Sequence, residues 1–311
     1  MPYEPLYKPL TAKSLKELAA PQTWPAGILP ILLAAALSYT VYQTFSLFSF
    51  ALLLVLSILL QSAVNTLNDY FDFVKGTDRE DNFFDKKDAS IIYNHMNPKT
   101  AFKVGMVFLG LALIGGLYLV FQAGWPLLVF GFLGAATVYF YSGGPYPISY
   151  LPLGEAVSGV MMGGLLPMAA LYVFNGAQAL SWATLYDCLP LILSIGLILF
   201  TNNTCDIARD TEAGRHTLPI LLGHKVSAKI WFFGFLLEVA LIAHISFYSF
   251  RPGFWLIFPL LICYGFYLKR LWRMEFTPGN RRQAMQTTLL LTTVVNGCYI
   301  LIILWAGVFS G

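Results

Sequence analysis

Long uninterrupted apolar runs, rather than alternation, organise this chain. From Leu18 to Asn68, 51 consecutive residues contain no Asp, Glu, Lys or Arg; a second such run extends from Val104 to Gly154, and the tail from Gln283 to Gly311 is also free of formal charge. Stretches such as SFALLLVLSILLQSAV are apolar on every face, which argues against barrel strands and predicts helices of about 20 residues. Turn signals at QTFSLF, QAGWP, SGGPYPISYLP, NGAQALS, SFRPGF and FTPGNRR divide the runs. They leave nine expected spans, at about 24–43, 48–68, 101–121, 125–142, 153–174, 183–205, 228–249, 253–272 and 285–308. The expected fold is all-α and integral to a membrane, as a single domain over 1–311. A short segment, 1–22, precedes the first span, and two polar loops lie at about 69–100 and 206–227.

Composition agrees, since 57% hydrophobic and 11% charged residues fall outside the range of soluble domains. Charge then orients the spans. With the N-terminus inside, 18 of the 19 basic residues share one side and Arg251 stands opposite, a positive-inside pattern that places both polar loops at the cytoplasmic face of the cell membrane. That pattern also accounts for the net charge of +3, so nothing points to nucleic acid, and no protein partner is evident. Met1 to Pro25 lacks the features of a cleavable signal peptide, and LTAKSLKELAAP reads as a short interfacial helix. The four cysteines, Cys188, Cys205, Cys263 and Cys298, lack paired spacing and read as packing residues.

One polar pattern occurs twice. NTLNDYFDFVKGTDRED, residues 65–81, and TNNTCDIARDTEAGRHTLPILLG, which begins at Thr201, each place an Asn four residues before an Asp at the end of a span. Asn68 and Asp72 in the first copy match Asn202 and Asp206 in the second, and Asp210 extends the second by another four. A spacing of four puts these side chains on one helix face. Four spans separate the copies, so both acidic ends reach the same side of the membrane.

Facing carboxylates repel unless cations lie between them. Oxygen ligands from Asp and Asn suit Mg²⁺, which completes its shell with water and substrate phosphates. The interleaved bases Lys75, Arg79, Arg209 and Arg215, with Lys86 and Lys87, supply donors for a diphosphate. This is the inventory for ionising an allylic diphosphate, with Asp72 and Asp206 central. Glu155, at the expected start of the fifth span, is isolated from other charges on its N-terminal side and reads as a group that accepts a proton from, or orients, a phenolic acceptor. Tyr139, Tyr141 and Tyr146 are candidates for contact with the acceptor or the prenyl cation. Glu80, Asp81, Asp85 and Asp88 read as solvated loop charges, whereas Asp187 and Glu238 fall toward the opposite side. An ion-coupled transporter is the competing class, but its acids belong at the midplane rather than at one rim.

In these motifs the chain resembles the UbiA superfamily of intramembrane prenyltransferases. NDYFDFVKGTD, NNTCDIARDTEAGRHTLPILLG, APQTWPAGILPILLA and YPISYLPLGE are most similar to the 1,4-dihydroxy-2-naphthoate branch of menaquinone synthesis. The resemblance implies a nine-helix bundle with two aspartate-rich loops, and Mg²⁺-dependent transfer of a polyprenyl group from its diphosphate to an aromatic acceptor, with the tail among membrane lipids. Other phenols and lipid or sugar phosphates are the alternative acceptors. The resemblance also implies Asp78 as a metal ligand. Gly76 stands where the superfamily usually has its second acid, and Asp78 follows two residues later, as in naphthoate-type members. The superfamily's Tyr-x-x-x-Lys element has no lysine here, since Gly143 follows Tyr139 at that spacing, and Ala20 replaces the arginine before the first-span proline.

Overall fold

The charge-free runs are helical in the computed structural model, which describes residues 7–77 and 90–309. Helix α1 (Ala12–Ala19) starts at a capping box in which Thr11 Oγ1 accepts from Ser14 N at 3.1 Å and Ser14 Oγ accepts from Thr11 N at 2.9 Å. It fulfils the expectation of a short helix before the first span. After it come α2 (Pro25–Tyr42), α3 (Leu47–Val74), α4 (Ser90–Tyr93), α5 (Pro98–Ala123) and α6 (Leu127–Ser142). Helix α7 (Gly154–Ser158) continues through a π-helical stretch (Gly159–Leu165) into α8 (Leu166–Asn175). Then follow α9 (Trp182–Cys205), α10 (Ile207–Glu212), α11 (Leu218–Ser249), α12 (Ile257–Trp272) and α13 (Arg281–Phe309).

Among the described residues, eight helical stretches are long and apolar enough to cross a membrane. Helix α6, expected as a further span, is apolar but has 16 residues, about 24 Å at 1.5 Å per residue against a hydrocarbon core of about 30 Å. Two other boundaries move. Helix α3 runs to Val74, beyond the expected end at 68, because nothing in NDYFDFV breaks a helix before Gly76, whose φ is +73°. Asn68 and Asp72 therefore share a face on the last two turns of α3, as their spacing implies, and the loop expected from 69 starts later. Helix α11 is bounded by Leu218 and Ser249, but Gly223 is non-helical (φ +75°, ψ 162°), so a short helical turn carrying Pro219 precedes a kink and the long helix begins just beyond it, near the expected 228. Most of the expected loop over 206–227 is consequently helical.

The main core gathers α2, α9, α11 and α13 around buried Ile31, Leu191, Phe235 and Ile303. Close backbone approach fixes α9 against the π-helical stretch, since a Cβ built on Gly163 would lie 2.5 Å from Ile192 N and Cα. Glu238 is fully buried partway along α11, where Asn296 Nδ2 donates to its Oε1 at 2.8 Å. It thus belongs to the interior of the bundle.

Candidate functional site

The second polar pattern turns a corner at Asp206. Helix α9 ends there, with Asp206 N donating to Asn202 O at 3.1 Å, and the short α10 carries Arg209 and Asp210 back toward the last turns of α3. Asp72, Asp206 and Asp210 are all buried, and three arginines lie between and beside them. Arg215 Nη2 donates to Asp72 Oδ1, and its Nη1 lies 3.3 Å from Asp210 Oδ1. Arg209 Nε lies 3.5 Å from the same Asp210 oxygen, while its Nη2 donates to Asp206 Oδ2 at 2.7 Å. Arg281 Nε donates to that Asp206 oxygen at 3.1 Å and its Nη2 reaches Asn202 Oδ1. Acids and guanidinium groups therefore alternate from α3 to α13, three of each.

A second set of contacts surrounds this row. Asn68 Oδ1 accepts from Ser142 Oγ at 2.5 Å, and Lys75 Nζ donates to Ser142 O at 2.6 Å. The Tyr150 ring lies beneath both Lys75 Nζ, at 5.1 Å, and the Arg215 guanidinium, at 5.2 Å. Burial raises the Asp210 carboxyl to about 6 against the opposing pull of Arg215 and Arg209. Burial lowers the pKa of Arg215, but Asp72 and Asp210 outweigh it and leave the net shift upward.

The donor set fits Mg²⁺. Asn68, Asp72, Asn202, Asp206 and Asp210 offer only oxygen ligands, and Asp210 Oδ2 is buried without a hydrogen-bond partner. Among the described residues no three His, Cys, Asp or Glu side chains form a ready cage. That accords with an ion held by one or two carboxylates and completed by substrate phosphates. Asp78 and Arg79 lie outside the described residues.

Beside Asn202 and Arg281 an apolar cavity of about 830 Å³ runs into the bundle. Asn68, Asp69, Asn202 and Arg281 line its charged end, and its wall follows α3 down to Leu53. The 16 residue steps from Asp69 to Leu53 span about 24 Å of helix. Tyr141 lines this cavity. Tyr139 packs edge-on against Phe71 with ring centroids 5.8 Å apart, and Tyr146 is 86% exposed. Glu155 is buried at the start of α7, where Asn203 Nδ2 donates to Oε1 at 2.8 Å and Oε2 has no partner.

Arg281, Arg282, Tyr150 and Asn203 carry parts of this site that the motifs alone do not single out. Arg281 and Arg282 entered the sequence reading only as rim charges, yet both line the cavity. Asn203 stands inside the second motif beside Asn202, and that adjacency was the available signal.

Comparison with known proteins agrees with this arrangement. The model of the UbiA prenyltransferase family matches residues 28–293. A 1,4-dihydroxy-2-naphthoate octaprenyltransferase of Bacillus subtilis is 32% identical over 211 residues, covering 68% of this chain and 66% of its own length. A 2-carboxy-1,4-naphthoquinone phytyltransferase of Synechocystis is 25% identical, covering 74% of this chain and 72% of its own. The fold is shared with a UbiA homolog from Archaeoglobus fulgidus bound to GPP and Mg2+, at a TM-score of 0.63, 17% identity and coverage of 93% and 99% of the two chains. With its family model spanning most of the helices and its paired acidic helix ends set over an apolar cavity, this multi-pass membrane chain belongs to the UbiA prenyltransferase family.

Proposed function

We propose that the protein transfers a polyprenyl group from an allylic diphosphate to an aromatic acceptor, with 1,4-dihydroxy-2-naphthoate the favoured acceptor. The observation that carries this reading is the meeting of Asp72 on α3 with Asp210 and Asp206 beyond α9, through Arg215 and Arg209, in a row whose last member, Arg281, lines the apolar cavity together with Asn68 and Asn202. The two relatives described above are both named for naphthoate or naphthoquinone acceptors.

In this reading Asn68, Asp72, Asn202, Asp206 and Asp210, with Asp78 as a further ligand, would hold Mg²⁺ ions with one or two carboxylates to each, which would supply positive charge against the diphosphate. Arg215, Arg209, Lys75 and Arg79, joined by Arg281, hold the outer phosphate oxygens. The alternation of acids and arginines makes this exchange feasible, because each guanidinium that leaves a carboxylate gains a phosphate oxygen. The C1–O bond breaks with its electron pair passing to diphosphate, and a ring carbon of the acceptor forms the new bond to C1. Glu155 accepts the proton released from the acceptor or orients its hydroxyl, and Tyr141 presents an aromatic face near C1. The polyprenyl tail occupies the apolar cavity.

We place the site at the cytoplasmic face of the cell membrane, with α6 as a ninth crossing, on the strength of the basic-residue asymmetry. Purified protein in lipid vesicles, supplied with labelled allylic diphosphate, Mg²⁺ and a panel of aromatic and phosphate-bearing acceptors, tests the assignment. Labelled product with the dihydroxynaphthoate is expected, and transfer only to a different acceptor class would reassign the substrate.

A further inference from the structure

The turn between α1 and α2 is tied to α3 by hydrogen bonds whose directions are fixed. Thr23 Oγ1 donates to Ala20 O at 2.9 Å, so toward its other neighbours that hydroxyl must accept. It accepts from Gln61 Nε2 at 3.2 Å and from Asn65 Nδ2 at 2.8 Å, and Asn65 Nδ2 also donates to Ala19 O at 3.2 Å. Both amide nitrogens are therefore committed to this turn, which sets the orientation of each amide and leaves the carbonyl ends for other partners. Gln61 and Asn65 are four residues apart on one face of α3, and both line the apolar cavity. Gln61 is 7% exposed, and its Oε1 is buried without a hydrogen-bond partner. A buried acceptor left unpaired is costly, and a ligand that brings a donor removes the cost.

Resting on the prenyl-transfer reading, we propose that Gln61 and Asn65 form the subsite that recognises the hydroxyl groups of an aromatic diol acceptor in its reduced form. The two carbonyl oxygens can only accept, so they select hydroxyl donors. An oxidised quinone would present oxygens to oxygens and is disfavoured. The placement suits the reaction. Asn65 precedes Asn68 by three residues and Asp72 by seven, about 4.5 and 10 Å along the helix. A ring held there lies one to two turns from the rim that takes the diphosphate, and the reduced ring is the electron-rich nucleophile the transfer needs.

The test compares the wild type with Gln61→Met, which keeps length and removes the polar group. For each, kcat/KM is measured with 1,4-dihydroxy-2-naphthoate and with its two mono-hydroxy analogues, together with KM for the diphosphate donor. Loss of a hydroxyl makes the ring a poorer nucleophile in either protein, so the comparison is between them: loss of at least one hydroxyl should lower kcat/KM roughly tenfold more in the wild type than in Gln61→Met, with donor KM unchanged. This ratio within one preparation does not depend on the folded fraction. A Gln61→Met protein that discriminates as the wild type does, or a wild type that does not discriminate, overturns the subsite. Should Gln61→Met fail to accumulate, Gln61→Glu, which keeps an accepting oxygen, must retain the wild-type ratio, and its loss also overturns the proposal. Absence of transfer by the wild type to any aromatic acceptor is a different result, and it removes the prenyl-transfer reading itself.

Discussion

Arg215 reaches Asp72 across 143 positions of sequence and joins it to Asp210, so one guanidinium closes the gap between the two acidic helix ends. Within the membrane rim this pairing keeps the carboxylates close without mutual repulsion. It also defines what a ligand must displace.

Asp72→Ala and Asp206→Ala should each lower prenyl transfer by at least about a hundredfold, since each removes a metal ligand and the charge that holds Mg²⁺ at the leaving group. Both proteins should still insert and unfold cooperatively, and EDTA should reproduce the loss in the wild type. Near-wild-type turnover of either variant at saturating Mg²⁺ would falsify the metal assignment.

Arg215→Lys keeps the charge but loses the fork that meets Asp72 and Asp210 together. Donor KM should rise roughly tenfold, the size of one lost charge-assisted hydrogen bond, with acceptor KM little changed. Steady-state kinetics with each substrate varied in turn decides it, and an effect confined to the acceptor would move Arg215 out of the diphosphate site.

Glu155→Gln deletes charge and titration while keeping size and hydrogen bonding. Transfer should slow by roughly a hundredfold, within the usual range for a general base, and the pH profile should change, with Mg²⁺-dependent donor binding retained. Transfer within about twofold of wild type at limiting acceptor would leave Glu155 a packing residue held by Asn203.

Cysteines placed at 212, at the end of α10, and at 251 should label from opposite faces of sealed vesicles in a background lacking the native four, with 212 cytoplasmic. The asymmetry of 18 basic residues against one motivates this. Labelling of both from the same face would overturn the topology.

How much of the site the chain displayed follows from the range of each interaction. Asn68 with Asp72 and Asn202 with Asp206 were legible because a spacing of four is a local property of one helix. Arg281 was not, since its bonds to Asp206 and Asn202 span 75 and 79 positions and depend on how α13 packs beside α9. Tyr150 was hidden among many aromatics, and only its position under two cations distinguishes it. A short helical turn from Leu218 precedes the non-helical Gly223, and the polar residues around it, read in sequence, indicated only a loop there. Glu238 stood in the sequence only as an acid toward the opposite side, and its partner Asn296, 58 positions away, comes from the packing of α13 beside α11.

The alternating row of acids and arginines also bears on how a reaction cycle ends. Each of Arg209, Arg215 and Arg281 stands at ion-pair distance from a carboxylate, so on the proposed reading each would have a partner to return to once a diphosphate and its ion had left. The side chains thus act as competitors of the inorganic product within its own binding site. On that reading their recombination would favour release of diphosphate once the prenyl group had gone, and the contacts that hold the resting site together would also limit product inhibition.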